Sequence, residues 1–533
     1  MPKHFLFGLK VLFLIFIISF FSYFPPKAKN LGAPLGEFSS ARASLVLLDL
    51  LKEEKPHPSG SEENEKIRDL IIEKIIEMGL EPEVQSFETT IKGKKETLFN
   101  VITKINGSNP KSQKILLSSH YDSVVEAPGA ADDMHAVAAT FEIMRIFLEG
   151  GKQLKHDLVI MFNDGEEIGL LGAKAFMDGH PWAKEIGYVI NMEARGTSGP
   201  SLMFETSENS SKLIEIYGSS VTHPRSSSIF YEIYKRLPNG TDFLIYKKYG
   251  LKGFNFAFIG NAQNYHTEND NIKNLNFDTL QHQGQNVFQI LDALQEMNLS
   301  EIKHDSNNVY FDLIGKFFFS WPEKNNIPLS VTTMLLLYFV LMRLGQLKAL
   351  TWKKLGWGSL AFPGLVFGTI GVGIVFDVYV FESFQLYGWW PKNPAPSIFL
   401  LFLIPCFVFW PILKFLRKRA TFWGLWGTTW RFFCGLSILM AFILPGAIYL
   451  FLIPSLIAII SGLILTSTKT ISGPKAKLFA SIPALIALGL IWIPTGVLLY
   501  DAIGFYMRTY VSLIFAMTLA GLIPLSAPIE KKN

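Results

Sequence analysis

One long apolar stretch constrains the fold of this chain more than any other feature of its sequence. Positions 327 to 526 contain only 17 Asp, Glu, Lys or Arg residues, and short polar segments interrupt the stretch at intervals. An apolar run of about 20 residues is long enough to cross the hydrocarbon core of a bilayer. The sequence therefore predicts a membrane domain of about seven transmembrane helices at 327–528. We place these helices at 327–345, 357–381, 395–416, 424–444, 446–466, 478–499 and 506–526.

The N-terminus carries a further apolar segment. Basic residues at Lys3 and Lys10 accompany an apolar run that begins at Phe5, and its length of about 20 residues is just sufficient to cross a bilayer. The sequence that follows, Ser-Tyr-Phe-Pro-Pro, lacks the small residues of a signal-peptidase site. We therefore predict an uncleaved signal-anchor helix at 1–26.

Basic residues predict the orientation of these helices. A cytoplasmic N-terminus places the charge-rich part, 37–305, outside the cytoplasm and the C-terminus inside. In this arrangement twelve basic residues of the membrane domain face the cytoplasm, and only Lys392 and Arg508 face outward, as the positive-inside rule requires. The twelve are Arg343, Lys348, Lys353, Lys354, Lys414, Arg417, Lys418, Arg419, Arg431, Lys469, Lys475 and Lys477. The prediction is a multi-pass protein with an extracytoplasmic domain in the periplasm, outside the cell or in an organelle lumen.

Charge and cysteine content limit the partners of the chain. The formal net charge is +4, and the basic residues of the apolar half are dispersed among short loops, so no nucleic-acid partner is predicted. The lipid bilayer is the partner that the apolar half requires. Both cysteines, Cys406 and Cys434, lie in that half, so the charge-rich part has no disulfide and its redox compartment is left open.

The charge-rich part alternates between strand and helix patterns. Apolar runs predict strands at 96–105, 114–120, 156–163, 187–193, 201–205 and 252–260, and helical spacing predicts helices at 63–80 and 137–151. Short apolar strands interleaved with amphipathic helices predict an α/β sandwich around a mostly parallel central sheet. A membrane-proximal linker, 306–326, would join it to the membrane domain. In such sheets, ligands bind beyond the carboxyl ends of the strands.

Acidic residues and histidines collect at those carboxyl ends. They are His120 and Asp122 at the end of 114–120, Asp132 in the following loop, Glu166 and Glu167 after 156–163, Glu193 at the end of 187–193, and His266 after 252–260. Each has an ordinary explanation taken alone, such as a helix cap or a buried histidine. Their convergence at one sheet edge is harder to explain in that way, because crowded carboxylates repel one another unless a cation holds them.

The residue types suit two zinc ions. A catalytic zinc keeps three protein ligands and leaves one position open, so two such ions need one ligand in common when five residues are available. The five are His120, Asp132, Glu167, Glu193 and His266, a mixed nitrogen and oxygen set that suits zinc. Asp122 is placed to accept the proton of the second ring nitrogen of His120, which would fix the tautomer.

Five segments, SHYDS, APGAADD, NDGEEIGLLGAKAF, NMEARG and YHTEND, resemble the five motifs of the M28 family of metallopeptidases, in that family's order. The resemblance implies one metal on His120, Asp132 and Glu193, and a second on Glu167 and His266 with Asp132 bridging. Within the family, the chain is similar to the multipass membrane branch that includes vacuolar membrane proteases and endoplasmic-reticulum metallopeptidases. The resemblance therefore implies a membrane-anchored dizinc exopeptidase of the aminopeptidase type that hydrolyses peptides on the extracytoplasmic side.

The resemblance also implies roles for residues around the metals. Glu166 would be the general base, and Asp242 lies where relatives carry an acidic residue near the substrate. Tyr265, beside a predicted ligand, is a second candidate for substrate contact. Soluble members usually follow the bridging aspartate with a Ser-Gly pair, whereas this chain has His135-Ala136. That departure bears on the shape of the site more than on its metals.

Three other functions stay open at this point. Glutaminyl cyclases share the fold and use a single zinc for an acyl-transfer cyclisation. Some M28-like domains that have lost metal ligands serve as receptors, and an ectodomain can also accompany a transporter. The complete ligand set of this chain favours the two-metal enzyme over the cyclase and the receptor, and the lack of polar networks within the predicted spans argues against a transporter. Nothing in the sequence indicates the preferred side chain at the cleaved N-terminus of a substrate.

Overall fold

The computed structural model describes residues 3–91, 93–376, 394–416, 419–504 and 508–527. The chain divides into two compact units. One unit, Phe24–Ser320, contains the large β-sheet and is called the sheet unit below. The other, Met1–Tyr23 with Trp321–Asn533, is called the helical unit.

The structure has nine strands and seventeen α-helices among the described residues. The strands are β1 (Glu83–Ile91), β2 (Lys94–Ile105), β3 (Lys114–His120), β4 (Leu158–Asn163), β5 (Ile186–Ala194), β6 (Ser198–Thr206), β7 (Lys252–Gly260), β8 (Asn308–Leu313) and β9 (Phe317–Pro322). The helices that precede β9 are α1 (Lys3–Tyr23), α2 (Ser40–Leu50), α3 (Glu62–Glu77), α4 (His135–Glu149), α5 (Leu171–Gly179), α6 (Ser211–Ser220), α7 (Ser228–Tyr234), α8 (Asp242–Lys248) and α9 (Phe277–Glu296). Those that follow it are α10 (Asn326–Gln346), α11 (Trp352–Gly358), α12 (Ala361–Phe376), α13 (Pro394–Leu416), α14 (Phe422–Ile443), α15 (Tyr449–Ser467), α16 (Pro474–Ile503) and α17 (Arg508–Ala520).

Seven strands form one sheet in the order β1-β2-β4-β3-β5-β7-β6. Its centre, β4-β3-β5-β7, is parallel, and antiparallel strands complete both edges. The predicted α/β class with a mostly parallel central sheet is confirmed. The edge strand β1 was not predicted from the sequence. Its residues are alternately exposed and half-buried, so it has no continuous apolar run.

The central strands are buried on both faces, which explains their apolar composition. In β3, Ile115 and Leu117 belong to the core beneath α4 and α9, whereas Leu116 belongs to the core on the opposite face, with Phe176 of α5 and Tyr246 of α8. Helices on both faces are typical of parallel sheets. Polar residues on such strands therefore require a specific partner.

The helical unit contains seven segments that are long and apolar enough to cross a membrane, counted over the described residues. They are Lys3–Tyr23, Glu323–Gln346, Leu355–Phe376, Ile398–Leu416, Phe422–Ile443, Pro445–Ser467 and Pro474–Ile503. Each overlaps a predicted span. Parts of the prediction lie outside the described residues, namely the end of span 357–381, the basic residues Lys392, Arg417 and Lys418, and positions 505–507.

The last predicted span, 506–526, differs from the others. Among the described residues its helix, α17, covers 13 residues from Arg508, directly after the undescribed positions 505–507, and a turn lies at Pro524–Ser526. At 1.5 Å per residue these 13 described residues extend about 20 Å, compared with a hydrocarbon core of about 30 Å. The eighth crossing therefore stays a prediction.

Candidate metal centre

The carboxyl ends of β3 and β5 carry two of the predicted ligands to a common point. The Nε2 atom of His120 lies 3.4 Å from Oδ1 of Asp132 and 3.7 Å from Oε2 of Glu193. All three side chains are buried. Asp132 comes from the loop before α4, so three separate segments of the chain form this first group.

A second group forms on the other oxygen of the same aspartate. The Nε2 atom of His266 lies 3.2 Å from Oδ2 of Asp132 and 3.1 Å from Oε1 of Glu167. Asp132 thus directs one carboxylate oxygen at each histidine. In both groups the potential ligand atoms lie within 4.8 Å of one another, so the structure brings together the five residues that the sequence singled out.

The geometry and chemistry of these groups fit zinc. Two ligands of one tetrahedral zinc, each bonded at about 2.0–2.1 Å, lie about 3.3 Å apart, and the observed separations are 3.1 to 3.7 Å. Three of the atoms, His120 Nε2, His266 Nε2 and Glu167 Oε1, are buried and make no hydrogen bond to the described residues. Leaving buried polar atoms unpaired is unfavourable, and bound cations would satisfy all three.

The pKa values of the ligand residues also indicate a bound cation. Burial, followed by the charge of Asp132, raises the pKa of Glu167 to about 7, and burial also raises the pKa of Glu193. Burial alone would lower the pKa of His266, but Asp132 and Glu167 outweigh it and raise that pKa to about 10. These shifts show that the crowded carboxylates favour positive charge at this centre, which divalent ions would supply.

Glu166 lies beside these ligands without belonging to either group. Burial and then the charge of Glu193 raise the pKa of its carboxyl well above the usual value. Its backbone N–H donates to Oδ1 of Asp122 at 3.1 Å, and the N–H of Glu167 donates to Oδ2 at 3.2 Å. One buried carboxylate therefore fixes the turn that carries both glutamates.

That role of Asp122 is additional to the predicted one. The sequence suggested that its carboxylate accepts the proton of His120 Nδ1. In the structure the nearest oxygen is the backbone carbonyl of Asp122, at 2.9 Å, and Oδ1 of the carboxylate lies 3.4 Å away. Both oxygens face Nδ1, and a proton held there leaves Nε2 available to a metal. Acceptance of that proton by the carboxylate stays a prediction.

The two predicted substrate residues lie at this centre. Asp242, at the start of α8, is fully buried and accepts a hydrogen bond from the amide of Asn163. Burial, together with the charge of Glu193, raises its pKa to about 8. The ring of Tyr265 stacks on His266 with centroids 3.7 Å apart. Contact of either residue with substrate stays a prediction.

His135-Ala136, the pair that replaces the usual Ser-Gly, lies in the packing behind the site. His135 is buried, and its Nε2 accepts from the amide of Gln283 at 2.9 Å while its Nδ1 faces the carbonyl of Ala131. Burial lowers its pKa to about 4. His135 is therefore a neutral interior residue, and it is not a member of either ligand group.

Asp270 is a supporting residue that the sequence reasoning missed. Its carboxylate accepts the backbone N–H of Ala131 at 2.6 Å and that of Asp132 at 3.1 Å. It lies four residues after His266, so it ties the loop of one histidine to the loop of the shared aspartate. The signal was present, because Asp270 closes the YHTEND segment.

A chain of hydrogen bonds across the sheet supports Glu193 and was also missed. Asn191 Nδ2 donates to Glu193 Oε1 at 3.0 Å and to Asn255 Oδ1 at 3.1 Å, and Asn255 Nδ2 donates to Glu205 Oε2 at 3.0 Å. Asn191, Asn255 and Glu205 are cross-strand partners on β5, β7 and β6. The chain holds one oxygen of Glu193 and leaves Oε2 directed at His120. Asparagines within otherwise apolar strands were the available signal.

We expect Asn191→Leu to weaken zinc binding, because Glu193 loses the donor that orients it. The buried acceptors left unpaired should also destabilise the fold by about 1–3 kcal/mol. Ser118→Ala is the matched control, since Ser118 pairs with Asn191 in register but bonds to Asn163 and Tyr246. Thermal unfolding and zinc titration of the full chain separate the effects. Equal zinc affinities in the two variants would show that Asn191 does not position Glu193.

An α/β sheet with paired carboxylate and histidine groups at the carboxyl ends of its strands defines a candidate metal-dependent enzyme domain. The family comparison gives the particular type. Residues 100–291 match the model described as Peptidase family M28. The chain carries a Peptidase M28 domain, joined to several helices of membrane-spanning length.

Curated relatives are named as a metallopeptidase and as a membrane protease. "Endoplasmic reticulum metallopeptidase 1" of Rattus norvegicus is 30% identical over 335 residues, which cover 58% of this chain and 37% of the relative. "Vacuolar membrane protease" of Eremothecium gossypii is 33% identical over 294 residues, which cover 51% of this chain and 28% of the relative. The chain thus spans well under half the length of these two relatives.

Solved structures resemble the chain over about half its length. A glutaminyl cyclase of Porphyromonas gingivalis has 18% identity and a TM-score of 0.40, covering 48% of this chain and 99% of that one. BSAP, a zinc aminopeptidase from Bacillus subtilis, has 14% identity and a TM-score of 0.41, covering 50% of this chain and 98% of that one.

Proposed function

We propose that the protein is a membrane-anchored dizinc exopeptidase of the aminopeptidase type, acting on peptides on the extracytoplasmic side of its membrane. The observation that carries the proposal is the carboxylate of Asp132, which faces His120 with one oxygen and His266 with the other. The M28 domain and the names of the curated relatives support peptidase chemistry at a membrane.

The five ligands divide between two zinc ions. His120 and Glu193 would hold one ion, Glu167 and His266 would hold the other, and Asp132 would bridge them. When bound, zinc supplies Lewis acidity that polarises a peptide carbonyl and lowers the pKa of water. The fit of the residues to this role rests on their separations and on their unpaired buried atoms.

Glu166 performs the proton transfers in this proposal. It accepts a proton from the attacking water and returns it to the leaving amine, as a general base and then a general acid. Two features suit it to that role. Asp122 accepts a hydrogen bond from the backbone N–H of Glu166 and so holds the residue in place. Burial raises the pKa of the Glu166 carboxyl, which makes its carboxylate a stronger base.

Asp242 suits the recognition of a peptide N-terminus. Its Oδ1 atom is buried and makes no hydrogen bond to the described residues, although Oδ2 is held by Asn163. A protonated α-amino group would satisfy that oxygen with a charge-assisted hydrogen bond. Tyr265, stacked on His266, would be a second contact of the bound residue.

The exopeptidase assignment predicts a strict dependence on a free N-terminus. We expect the purified full chain to hydrolyse fluorogenic aminoacyl arylamides and to leave their N-acetylated counterparts intact, because acetylation removes the charge that Asp242 would bind. Chelation should abolish the activity and zinc should restore it. Equal cleavage of free and acetylated substrates would contradict the exopeptidase assignment. Cyclisation of N-terminal glutamine without hydrolysis would favour the glutaminyl-cyclase alternative.

The proposed orientation places both chain termini in the cytoplasm. It rests on the excess of basic residues in the cytoplasmic loops, twelve against two, and on eight crossings. A reporter that is active only in the cytoplasm, fused after Asn533, should be active in correctly inserted protein. A silent reporter there would contradict the eight-crossing scheme.

A further inference from the structure

The stretch that the sequence suggested as a linker contains the hairpin of β8 and β9. Strand β9 has two different faces. Phe318 points into the sheet unit, where its ring lies 5.2 Å from that of Tyr217 and 6.1 Å from that of Tyr310. The fit is close, since a Cβ atom on Gly218 would lie 2.3 Å from the Phe318 ring. One face of β9 is thus fixed to the protein core.

The other face of β9 presents large aromatic side chains to the surroundings. Phe317 is 57% exposed. Phe319 stacks one side of its ring on Phe311 of β8, with centroids 5.3 Å apart, and is still 46% exposed. They alternate with Phe318, as residues on opposite faces of a strand do. Scattered exposed apolar residues are common on proteins, but two phenylalanines on one strand face need a more specific explanation.

The position of β9 in the chain supplies that explanation. The strand ends at Pro322, and the segment Glu323–Gln346, which is long and apolar enough to cross a membrane, starts at the next residue. Its first four residues, Glu-Lys-Asn-Asn, are polar and suit the headgroup layer, so β9 lies just outside the apolar part of the segment. Aromatic residues are enriched where proteins pass through the membrane–water interface. The other connection between the units has the same character, since Phe21 and Phe24, around the end of α1, are 68% and 56% exposed.

Distance along the chain limits how β9 can lie. Phe319 precedes Glu323 by four residues, or about 13 Å of extended strand, whereas the interfacial layer on each side of a bilayer is about 5–8 Å thick. A strand that stood upright on the membrane would carry both phenylalanines out into water. A strand that runs along the surface keeps both in the interfacial layer.

We propose that β9 is a membrane-surface strand, which inserts Phe317 and Phe319 into the lipid interface beside the first C-terminal crossing. The occupant of this aromatic face is lipid, at the boundary of headgroups and acyl chains. Because Phe318 on the opposite face packs into the sheet unit, the strand fixes that unit to the membrane surface. The inference rests on β9 and its neighbouring segment, and it does not depend on catalysis.

Spin labels test the proposal directly. Phe317→Cys and Phe319→Cys are made separately in a full chain carrying Cys406→Ser and Cys434→Ser, labelled with a nitroxide and reconstituted into phosphatidylcholine vesicles. Ile76→Cys is the matched control, because Ile76 lies on α3 of the same unit and is also 57% exposed. Power saturation compares collisions with oxygen, which concentrates in lipid, and with a water-soluble nickel chelate.

The expected oxygen-to-nickel collision ratio is several-fold higher at positions 317 and 319 than at position 76. A ratio at 317 and 319 equal to that at 76 would place these side chains in water and overturn the proposal. Low collision rates with both reagents would also overturn it, since they would mean that protein covers the strand. Zinc binding by each labelled chain serves as the check that the sheet unit has folded.

Discussion

Changing Glu166 to glutamine is expected to lower the turnover number about 10²–10⁴-fold, the usual loss when a general base alone is removed. Zinc content and thermal stability should stay close to those of the unaltered chain, because Glu166 belongs to neither ligand group. Its backbone bond to Asp122 is also independent of the side chain. Steady-state hydrolysis of an aminoacyl arylamide, together with elemental analysis, measures both quantities.

The neighbouring residue provides the contrast. Glu167→Gln removes a carboxylate oxygen that lies 3.1 Å from His266, so one zinc should bind more weakly and added zinc should restore part of the activity. Zinc should not rescue Glu166→Gln. If both variants retained full activity and full zinc, the two glutamates would be no more than polar residues of the turn between β4 and α5.

Replacing Asp132 with asparagine should have the broadest effect, because both ligand groups lose a charged oxygen at once. We expect zinc at both positions to bind far more weakly and activity to fall at least as far as in Glu166→Gln. Isothermal titration of the chelator-treated chain with zinc gives the affinities. The result separates one shared ligand from two independent sites, since a variant that lost a single ion would contradict the bridging role.

Asp133→Asn is the matched control for that experiment. Asp133 is an equally buried neighbour whose pKa is raised well above its usual value, chiefly by burial. It accepts the backbone N–H of His120 at 3.3 Å, and it is outside both ligand groups. An asparagine resembles its protonated form, so zinc binding should stay near that of the unaltered chain.

The strand ends were the part of the site that could be predicted from sequence. Runs such as KILLSSH and KGFNFAFIG coincide with β3 and β7, because parallel strands buried on both faces are continuously apolar. Since the carboxyl ends of such strands meet at one edge, His120, Glu193 and His266 could be expected to converge. The structure brings them together around Asp132.

Features that depend on strand register or on backbone atoms could not be predicted in the same way. The support of Glu193 by Asn191 and Asn255 requires that β5 and β7 pair in one particular register. The backbone carbonyl of Asp122 lies nearer to His120 Nδ1 than the carboxylate does, a detail that residue types alone cannot indicate. Similarly, β9 contains a run of three phenylalanines. Which of them face the core became clear only from the contact of Phe318 with Gly218 of α6.

The number of zinc ions bound per chain tests the central claim most directly. The full chain is stripped with a chelator, returned to buffer with excess zinc, freed of unbound metal and analysed by inductively coupled plasma mass spectrometry against the protein concentration. The shared position of Asp132 between His120 and His266 predicts two zinc ions per chain, with activity rising as the second ion binds. A single tightly held zinc, with no gain in metal or activity on further addition, would contradict the dizinc site.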